Sequence, residues 1–257
     1  MVTTERTGYM IEHYLGLKDA RVVQTPHFLL ATENMRGVIE RRAITALWGD
    51  SGHGKTIAGA GAYLQLSAGE RCWLKLTTRP NPRVLTNGIL QKLTGVEHDE
   101  TRWHSARTLG RELERCAIVI FIDEAQNLST ECIEFLRWLH EEHPGRFALV
   151  LIGGVQLHSR LSRSPQLMRR VFQPTRFGTL DVNHLDGYLR TFHPIYEQAD
   201  AALLARINAQ HCQGNFGFWA RLTASAYDVC RDRGVLTIDS EIAKIVVARH
   251  RGWANAA

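Results

Sequence analysis

One eight-residue segment, from Gly49 to Thr56, constrains the fold of this chain more than any other. Its sequence, Gly-Asp-Ser-Gly-His-Gly-Lys-Thr, fits the pattern G-x-x-x-x-G-K-[ST]. The apolar run 43–48 before it predicts a strand, and the run 57–64 after it predicts a helix. Such a loop is suited to phosphate because glycines let successive backbone N–H groups face the anion, while the helix presents its positive end to it. The segment therefore predicts a nucleoside triphosphate site.

All residues of this loop are predicted to contact the nucleotide, and two of them have a distinct chemical role. Lys55 is expected to reach the β- and γ-phosphates, and the Thr56 hydroxyl to occupy one position around Mg²⁺. ATP and Mg²⁺ are thus the predicted ligands. The predicted contact residues are Gly49, Asp50, Ser51, Gly52, His53, Gly54, Lys55 and Thr56.

A second motif is the apolar run 117–122, which predicts a buried strand and ends in Asp123 and Glu124. Adjacent strand residues point to opposite faces, so the two carboxylates can serve different roles. Asp123 is predicted to hold Mg²⁺, usually through water, and Glu124 to polarise the water that attacks the γ-phosphate. Two acids at a strand end are common by themselves. Combined with the phosphate loop, they predict Mg²⁺-dependent hydrolysis of ATP.

The apolar patterns along the chain divide it into two parts. Up to about residue 180, strand-like runs alternate with helical patterns, which predicts an α/β fold with a mostly parallel sheet covered by helices. Beyond that point only helical spacing remains. The predicted parts are an N-terminal extension over 1–25 with a short helix from Tyr9 to Leu17, an α/β core over 26–180, and a helical domain over 181–257. The predicted strands are 43–48, 72–76, 117–122 and 147–152, and a helix is predicted over 28–41.

Composition excludes some functions and leaves others open. The chain has no apolar run near the roughly 20 residues that cross a bilayer, so no membrane association is expected. Its five cysteines are odd in number and scattered, without a C-x-x-C pair, which indicates buried thiols in a reducing compartment and a cytoplasmic location. A net charge of +5 permits nucleic-acid binding without establishing it.

Two further positions bear on the chemistry. The run 147–152 ends in Gly153 and Gly154, so no side chain is available there to contact the γ-phosphate. Either that contact is absent or a neighbouring residue makes it. Arg170 follows a helix that begins near Pro165, and it could stabilise phosphoryl charge in a neighbouring subunit's site. The alternative for Arg170 is a solvated basic helix end.

The order of these motifs resembles that of AAA+ ATPases, which implies a P-loop sheet with a small C-terminal helical lid. The segment Leu-Val-Leu-Ile-Gly-Gly-Val-Gln-Leu, residues 149–157, is similar to the L-V-G-T-x-x-L stretch of the transposition regulators TnsC and TniB. Residues 176–180 resemble the segment leading into their lid, and Gly-Asn-Phe-Gly at 214–217 resembles their lid motif. The likeness spans about residues 25 to 250 and extends to the related MuB group.

The resemblance implies an ATPase that assembles on double-stranded DNA as a homo-oligomeric ring or filament and directs a transposase to its target. By position it assigns Lys55, Thr56, Asp123 and Glu124 the same roles in ATP and Mg²⁺ binding and hydrolysis. It assigns Arg170 the role of the arginine finger, which stabilises phosphoryl charge in the site of a neighbouring subunit. This chain departs from the family pattern at two sites. Gly154 stands where Thr is frequent, and Phe218 stands where many members carry a lid arginine, with Arg221 one helical turn later.

DNA contact is predicted at the segment Arg-Pro-Asn-Pro-Arg, in which proline stiffens the loop and presents Arg79 and Arg83 to phosphates. A plain polar turn explains this segment equally well. Two other functions therefore stay open. One is a nucleotide-gated protein-interaction switch, as in secretion, partition or defence ATPases, which binds no DNA. The other is a degenerate ATPase that binds ATP for structural purposes.

Overall fold

The structure, a computed structural model, describes residues 16–250. The predicted helix from Tyr9 to Leu17 lies almost entirely outside the described residues. Within them the chain forms a five-stranded parallel sheet in the order β2-β3-β4-β1-β5, with helices on both faces. The predicted α/β class and parallel sheet are confirmed. The strands are β1 Ile44–Gly49, β2 Arg71–Lys75, β3 Ile118–Asp123, β4 Phe147–Gly153 and β5 Thr175–Phe177.

The fifth strand was not predicted from the sequence. β5 has three residues and pairs with the end of β1, where Leu47 lies opposite Thr175. A segment this short contains too little alternation to be recognised as a strand. It is defined by its partner strand and by the burial of Phe177.

The helices of the described chain follow the predicted spacing closely. The predicted helix 28–41 is observed as Pro26–Glu40, and the helix after the phosphate loop begins at Lys55. In chain order they are α1 Pro26–Glu40, α2 Lys55–Leu64, α3 Pro82–Thr94, α4 Arg102–Arg115, α5 Thr130–Glu142, α6 Val155–Ser162, α7 Pro165–Met168, α8 Leu185–Phe192, α9 Ala201–Ile207, α10 Phe216–Arg233 and α11 Ser240–His250.

The sheet is buried on both faces, which is why its strands have continuous apolar sequences. In β3, Ile120 and Ile122 pack into one cluster with Leu149 and Leu151. Val119 and Phe121 pack into a second cluster on the opposite face. Since all strands are parallel, the carboxyl ends of β1, β3 and β4 lie at the same edge of the sheet. That edge carries the phosphate loop, the two acids and the Gly-Gly pair.

The chain divides into two compact units. The α/β unit comprises Pro26–Asp50 and Lys55–Phe177, and the helical unit comprises residues 16–25, Ser51–Gly54 and residues 178–250. Residues 16–25 pack with the C-terminal helices, where the Arg21 N–H donates to the Phe192 carbonyl and His193 Nε2 donates to the Lys18 carbonyl, each at 2.9 Å.

No helix among residues 16–250 is long and apolar enough to cross a membrane. All five cysteines are free thiols, and four of them are buried as predicted. Cys116 is exposed, contrary to that prediction, because it follows the last turn of α4 at the surface.

A buried asparagine, Asn208, joins three segments of the helical unit by hydrogen bonds. Asn208 begins a π-helical stretch, Asn208–Cys212, directly after α9. Its Oδ1 accepts hydrogen bonds from the Gly214 N–H at 2.8 Å and from Trp219 Nε1 at 3.1 Å. Trp219 is fully buried, so no water can replace Asn208 as the acceptor for its indole N–H.

We expect Asn208→Ala to lower the free energy of unfolding by about 2–4 kcal/mol, because it leaves two buried N–H groups without an acceptor. Denaturant unfolding followed by tryptophan fluorescence measures the change. The matched control is Asn183→Ala, at an exposed position, which should change stability by less than about 0.5 kcal/mol. Equal effects of the two variants would contradict the role given to Asn208.

Candidate nucleotide-binding and hydrolysis site

The phosphate loop requires glycine for two separate reasons. At Gly49, where φ is +142°, a Cβ would collide with the carbonyl oxygen of Phe177 on β5. At Gly54 there is open space for a Cβ, but φ is +88°, a conformation that residues with a side chain rarely adopt. Glycine is therefore required at position 49 because β5 packs closely against it, and at position 54 because the backbone φ is positive.

Lys55 is the first residue of α2 and is buried, with 8% of its surface exposed. Its Nζ donates to the carbonyl of Asp50 at 2.5 Å. Burial lowers the pKa of Lys55, while the carboxylates of Glu124, Asp123 and Asp50 oppose that change. An ammonium in such surroundings is suited to a polyphosphate, whose charge replaces lost hydration.

Thr56 and Asp123, the two residues predicted to hold Mg²⁺, lie close together at the sheet edge. Thr56 Oγ1 lies 3.5 Å from Asp123 Oδ1, which also accepts the Glu124 N–H at 2.9 Å. Burial raises the pKa of Asp123, and the bond from the Glu124 amide is the largest effect that lowers it. Adjacent hydroxyl and carboxylate oxygens are hard ligands, so these residues fit Mg²⁺.

The carboxylates of Glu124 and Asp123 have different hydrogen-bond partners, but not for the reason predicted from strand alternation. β3 ends at Asp123, and Glu124 adopts a left-handed conformation with φ +57° and ψ +36°. This strained backbone starts a 3₁₀ turn, Ala125–Asn127, and it directs the two acids differently. Gln126 Nε2 donates to Glu124 Oε2 at 2.5 Å.

Gln126 is a residue that the sequence analysis missed. Its Oε1 accepts the Gly154 N–H at 2.9 Å, so the side chain joins Glu124 to the end of β4. The sequence indicates this contact only weakly. Gln126 is a polar residue two positions after Glu124, and the pair Gly153 and Gly154 has no side chains that would exclude it.

Arg170 lies far from these residues. The Val171 backbone forms a bridge with Ile44, and the Phe172 N–H donates to the Ile44 carbonyl, so Arg170 is held where β1 begins. The phosphate loop starts where β1 ends. At about 3.3 Å per residue, the strand separates its two ends by roughly 17 Å. Arg170 Nη2 instead pairs with Glu141 Oε1 at 2.9 Å.

The comparisons with known proteins agree with this geometry. Residues 38–161 match a family model described as an AAA domain. The chain is similar to the Orc1 protein of Aeropyrum pernix in complex with DNA, at 15% identity and a TM-score of 0.66, over 93% of this chain and 69% of that one. It is also similar to Cdc6p from Pyrobaculum aerophilum, at 15% identity and a TM-score of 0.71, over 93% and 71% of the two chains. The chain has the AAA+ fold.

A third similar structure is the RuvB Holliday junction branch migration motor of Thermotoga maritima, at 21% identity and a TM-score of 0.56, over 86% of this chain and 66% of that one. No curated protein matches the chain. The AAA+ part of the resemblance is therefore confirmed, including the P-loop sheet and the C-terminal helices. The narrower likeness to TnsC, TniB and MuB stays a prediction.

The two arginines predicted to contact DNA differ in their surroundings. Arg79 is exposed in the loop after β2 of the AAA+ core. Arg83 lies in the first turn of α3 and donates to Asp99 Oδ1 at 2.6 Å and to the Glu100 carbonyl at 2.7 Å. The Asn81 side chain caps this helix by accepting the Val84 N–H. The charge of Arg83 is thus partly compensated within the protein.

The predicted lid motif begins a helix, as expected. Asn215 caps α10 by accepting the Phe218 N–H at 3.2 Å. Within the same helical unit its Nδ2 donates to the Ser51 carbonyl at 2.9 Å, and the Gly217 N–H donates to the Gly52 carbonyl at 2.8 Å. The Arg221 guanidinium stacks on the Phe218 ring, 4.7 Å from its centroid. The tip of the phosphate loop is therefore bonded to the start of α10.

We expect Lys55→Ala to weaken ATP binding by about 100-fold, because charged hydrogen bonds to the phosphates are lost. Titration with a fluorescent ATP analogue measures the affinity. Lys92→Ala, on the exposed side of α3, is the matched control and should bind like the wild type. Unchanged affinity in Lys55→Ala would refute the assignment of this loop.

Proposed function

We propose that this chain is an ATP-dependent DNA-binding AAA+ ATPase that oligomerises on duplex DNA and recruits or activates a transposase at the target site. The observation that carries the ATPase part is the convergence of Lys55, Thr56, Asp123 and Glu124 at one edge of the sheet. These are a phosphate-binding cation, two magnesium ligands and a base.

The chemistry follows from the position of Glu124. In hydrolysis the water oxygen bonds to the γ-phosphorus while the bond from that phosphorus to the β–γ bridging oxygen breaks. ADP leaves with the bonding electron pair, and a water proton passes to the Glu124 carboxylate. Mg²⁺ held by Thr56 and Asp123 would offset the negative charge of the phosphates. Lys55 contributes a fixed positive charge to the same group.

Oligomerisation is supported by the location of Arg170. The finger role requires a guanidinium at the γ-phosphate, and an arginine side chain is much shorter than the roughly 17 Å length of β1. Arg170 therefore serves the site of a second copy of the chain. It lines a surface pocket with Arg41, Arg42, His140 and Glu141, and the pocket carries more positive than negative charge.

DNA binding is supported by an exposed basic surface. Arg79 follows β2, and α4 exposes Trp103, with 74% of its surface accessible, together with Arg102, Arg107 and Arg111. These arginines form no ion pair within residues 16–250. Exposed aromatic and basic residues without acidic partners are typical of surfaces that bind nucleic acid. Among proteins with a similar fold, structures of Aeropyrum pernix Orc1 and Drosophila ORC contain bound DNA.

The transposase partner is supported by the segments at 149–157 and 214–217, which resemble those of TnsC and TniB. The alternative function, a protein-interaction switch that binds no DNA, uses the same nucleotide chemistry. Nucleotide-dependent DNA binding therefore separates the two functions.

We expect tight binding to a labelled random-sequence duplex with ATP, and weak binding with ADP or without nucleotide. Glu124→Gln should bind DNA with ATP but hydrolyse ATP about 10²–10⁴-fold more slowly, because glutamine cannot accept the proton. Fluorescence anisotropy at several salt concentrations measures binding, and phosphate release measures hydrolysis. A phosphate-dominated interface should weaken steeply with salt.

A second variant, Arg79→Ala, tests the DNA surface separately from the nucleotide site. It should lower the DNA affinity and the salt dependence of that affinity while leaving ATP affinity unchanged. Absence of DNA binding with every nucleotide would reject the transposition function and leave the protein-interaction switch. Normal hydrolysis by Glu124→Gln would reject the assigned base.

The finger role of Arg170 is tested by mixing two inactive variants. Arg170→Ala keeps its own nucleotide site, and Lys55→Ala keeps its arginine. Each alone should hydrolyse ATP about 10³-fold more slowly than the wild type, while an equimolar mixture should regain activity. Arg169→Ala, the exposed neighbour, is the matched control and should remain active. A mixture as inactive as its components would contradict action between subunits.

A further inference from the structure

Gln126 occupies the space that a side chain at the end of β4 would otherwise fill. A Cβ at Gly153 would lie 2.5 Å from Gln126 Oε1 and 3.1 Å from Leu157 atoms, so a larger residue there would displace the Gln126 amide. Next to it, a Cβ at Gly154 would lie 3.2 Å from Oε1 of the exposed Gln156 and 3.8 Å from Gln126 Cδ. The missing polar side chain of β4 is thus replaced in space by an amide from the neighbouring turn.

The turn that carries Gln126 is firmly held. The Asn127 N–H donates to the Glu124 carbonyl at 2.9 Å, and the Leu128 N–H donates to the Ala125 carbonyl at 3.1 Å. Asn127 Nδ2 donates to the Leu76 carbonyl at 3.1 Å, which fastens the turn to the end of β2. Ala125 is fully buried. The backbone of Gln126 therefore has a fixed position relative to β3.

Both ends of the Gln126 amide are also fixed. Nε2 donates to Glu124 Oε2, and Oε1 accepts the Gly154 N–H. A glutamine amide has two donor hydrogens, and the second Nε2 hydrogen has no partner within residues 16–250. The amide therefore holds the Glu124 carboxylate at the end of β4 and retains one donor at the reaction edge.

We infer that Gln126 is a positioning residue for ATP hydrolysis, which takes the place of the polar residue absent from Gly153 and Gly154. It fixes Oε2 of Glu124 so that Oε1 is directed to the attacking water. This role rests on the proposed ATPase function. It explains why a strained Glu124 backbone, a glycine pair on β4 and a glutamine two residues after the acid occur together.

The test compares ATP hydrolysis by Gln126→Ala, Gln126→Glu and Gln156→Ala. Gln156 is an exposed glutamine on α6 without a bond to Glu124, so it is the matched control. Gln126→Ala should lower kcat about 10- to 100-fold while ATP affinity stays within about twofold, because the base is misdirected but the phosphate contacts remain. Gln156→Ala should behave like the wild type.

Gln126→Glu removes one of the two hydrogen bonds of the amide and keeps the other. Its carboxylate can still accept the Gly154 N–H but cannot donate to Glu124. We expect kcat to fall as much as in Gln126→Ala. If Gln126 merely supported the end of β4, Gln126→Glu would retain wild-type kcat, and the inference would be wrong.

A double-mutant cycle with Glu124→Gln tests whether Gln126 acts through Glu124. In single-turnover measurements, adding Gln126→Ala to Glu124→Gln should change the residual rate by less than about twofold. A further loss of tenfold or more would overturn the inference, as would a kcat of Gln126→Ala equal to that of the wild type. A parallel loss of thermal stability and ATP affinity in Gln126→Ala would also overturn it.

Failure of the proposed function has a different signature. If the wild type itself hydrolyses no ATP, the ATPase function is rejected and the role of Gln126 with it. If Glu124→Gln abolishes hydrolysis but Gln126→Ala does not, the ATPase function stands and only the role of Gln126 is rejected.

Discussion

The parallel register of β1, β3 and β4 is the constraint on which the rest of the site depends. Trp48 pairs with Gly153, and Ile122 pairs with Leu151, so all three strands end at one edge. The residues that follow β1, β3 and β4 are therefore neighbours at this edge, although they are far apart in the sequence. A shift of register by one residue would turn the strands' side chains to the opposite faces, and both apolar clusters would be lost. The same burial that stabilises the sheet thus fixes the geometry of the acids.

The candidate functional residues lie at opposite ends of the strands. The carboxyl edge holds the phosphate loop, Asp123 and Glu124, while the start of β1 holds Arg170 against Glu141. The roughly 17 Å length of β1 therefore separates Arg170 from the phosphate loop of the same copy. For this reason the proposed finger role of Arg170 requires a second copy of the chain.

Much of the fold was predictable because its signals are local. The four longer strands are continuous apolar runs, and α1 and α10 have helical spacing and clear ends. β5 was missed because three residues carry no period, and the surface position of Cys116 was missed because the apolar run after it dominated the pattern. The direction of Glu124 was expected from strand alternation, whereas a left-handed residue after the strand produces it.

The sequence by itself determined the two local motifs, the phosphate loop and the Asp-Glu pair, because each is contiguous and its residue types are suited to phosphate or Mg²⁺. Only the tertiary structure decided which side chain joins Glu124 to the end of β4. Gln126 and Gly154 are 28 positions apart, and their hydrogen bond exists because β3 and β4 are adjacent in the sheet. The pairing of Arg83 with Asp99 and the remoteness of Arg170 were likewise decided by packing. Contacts between distant segments depend on the arrangement of the whole core, which no local pattern encodes.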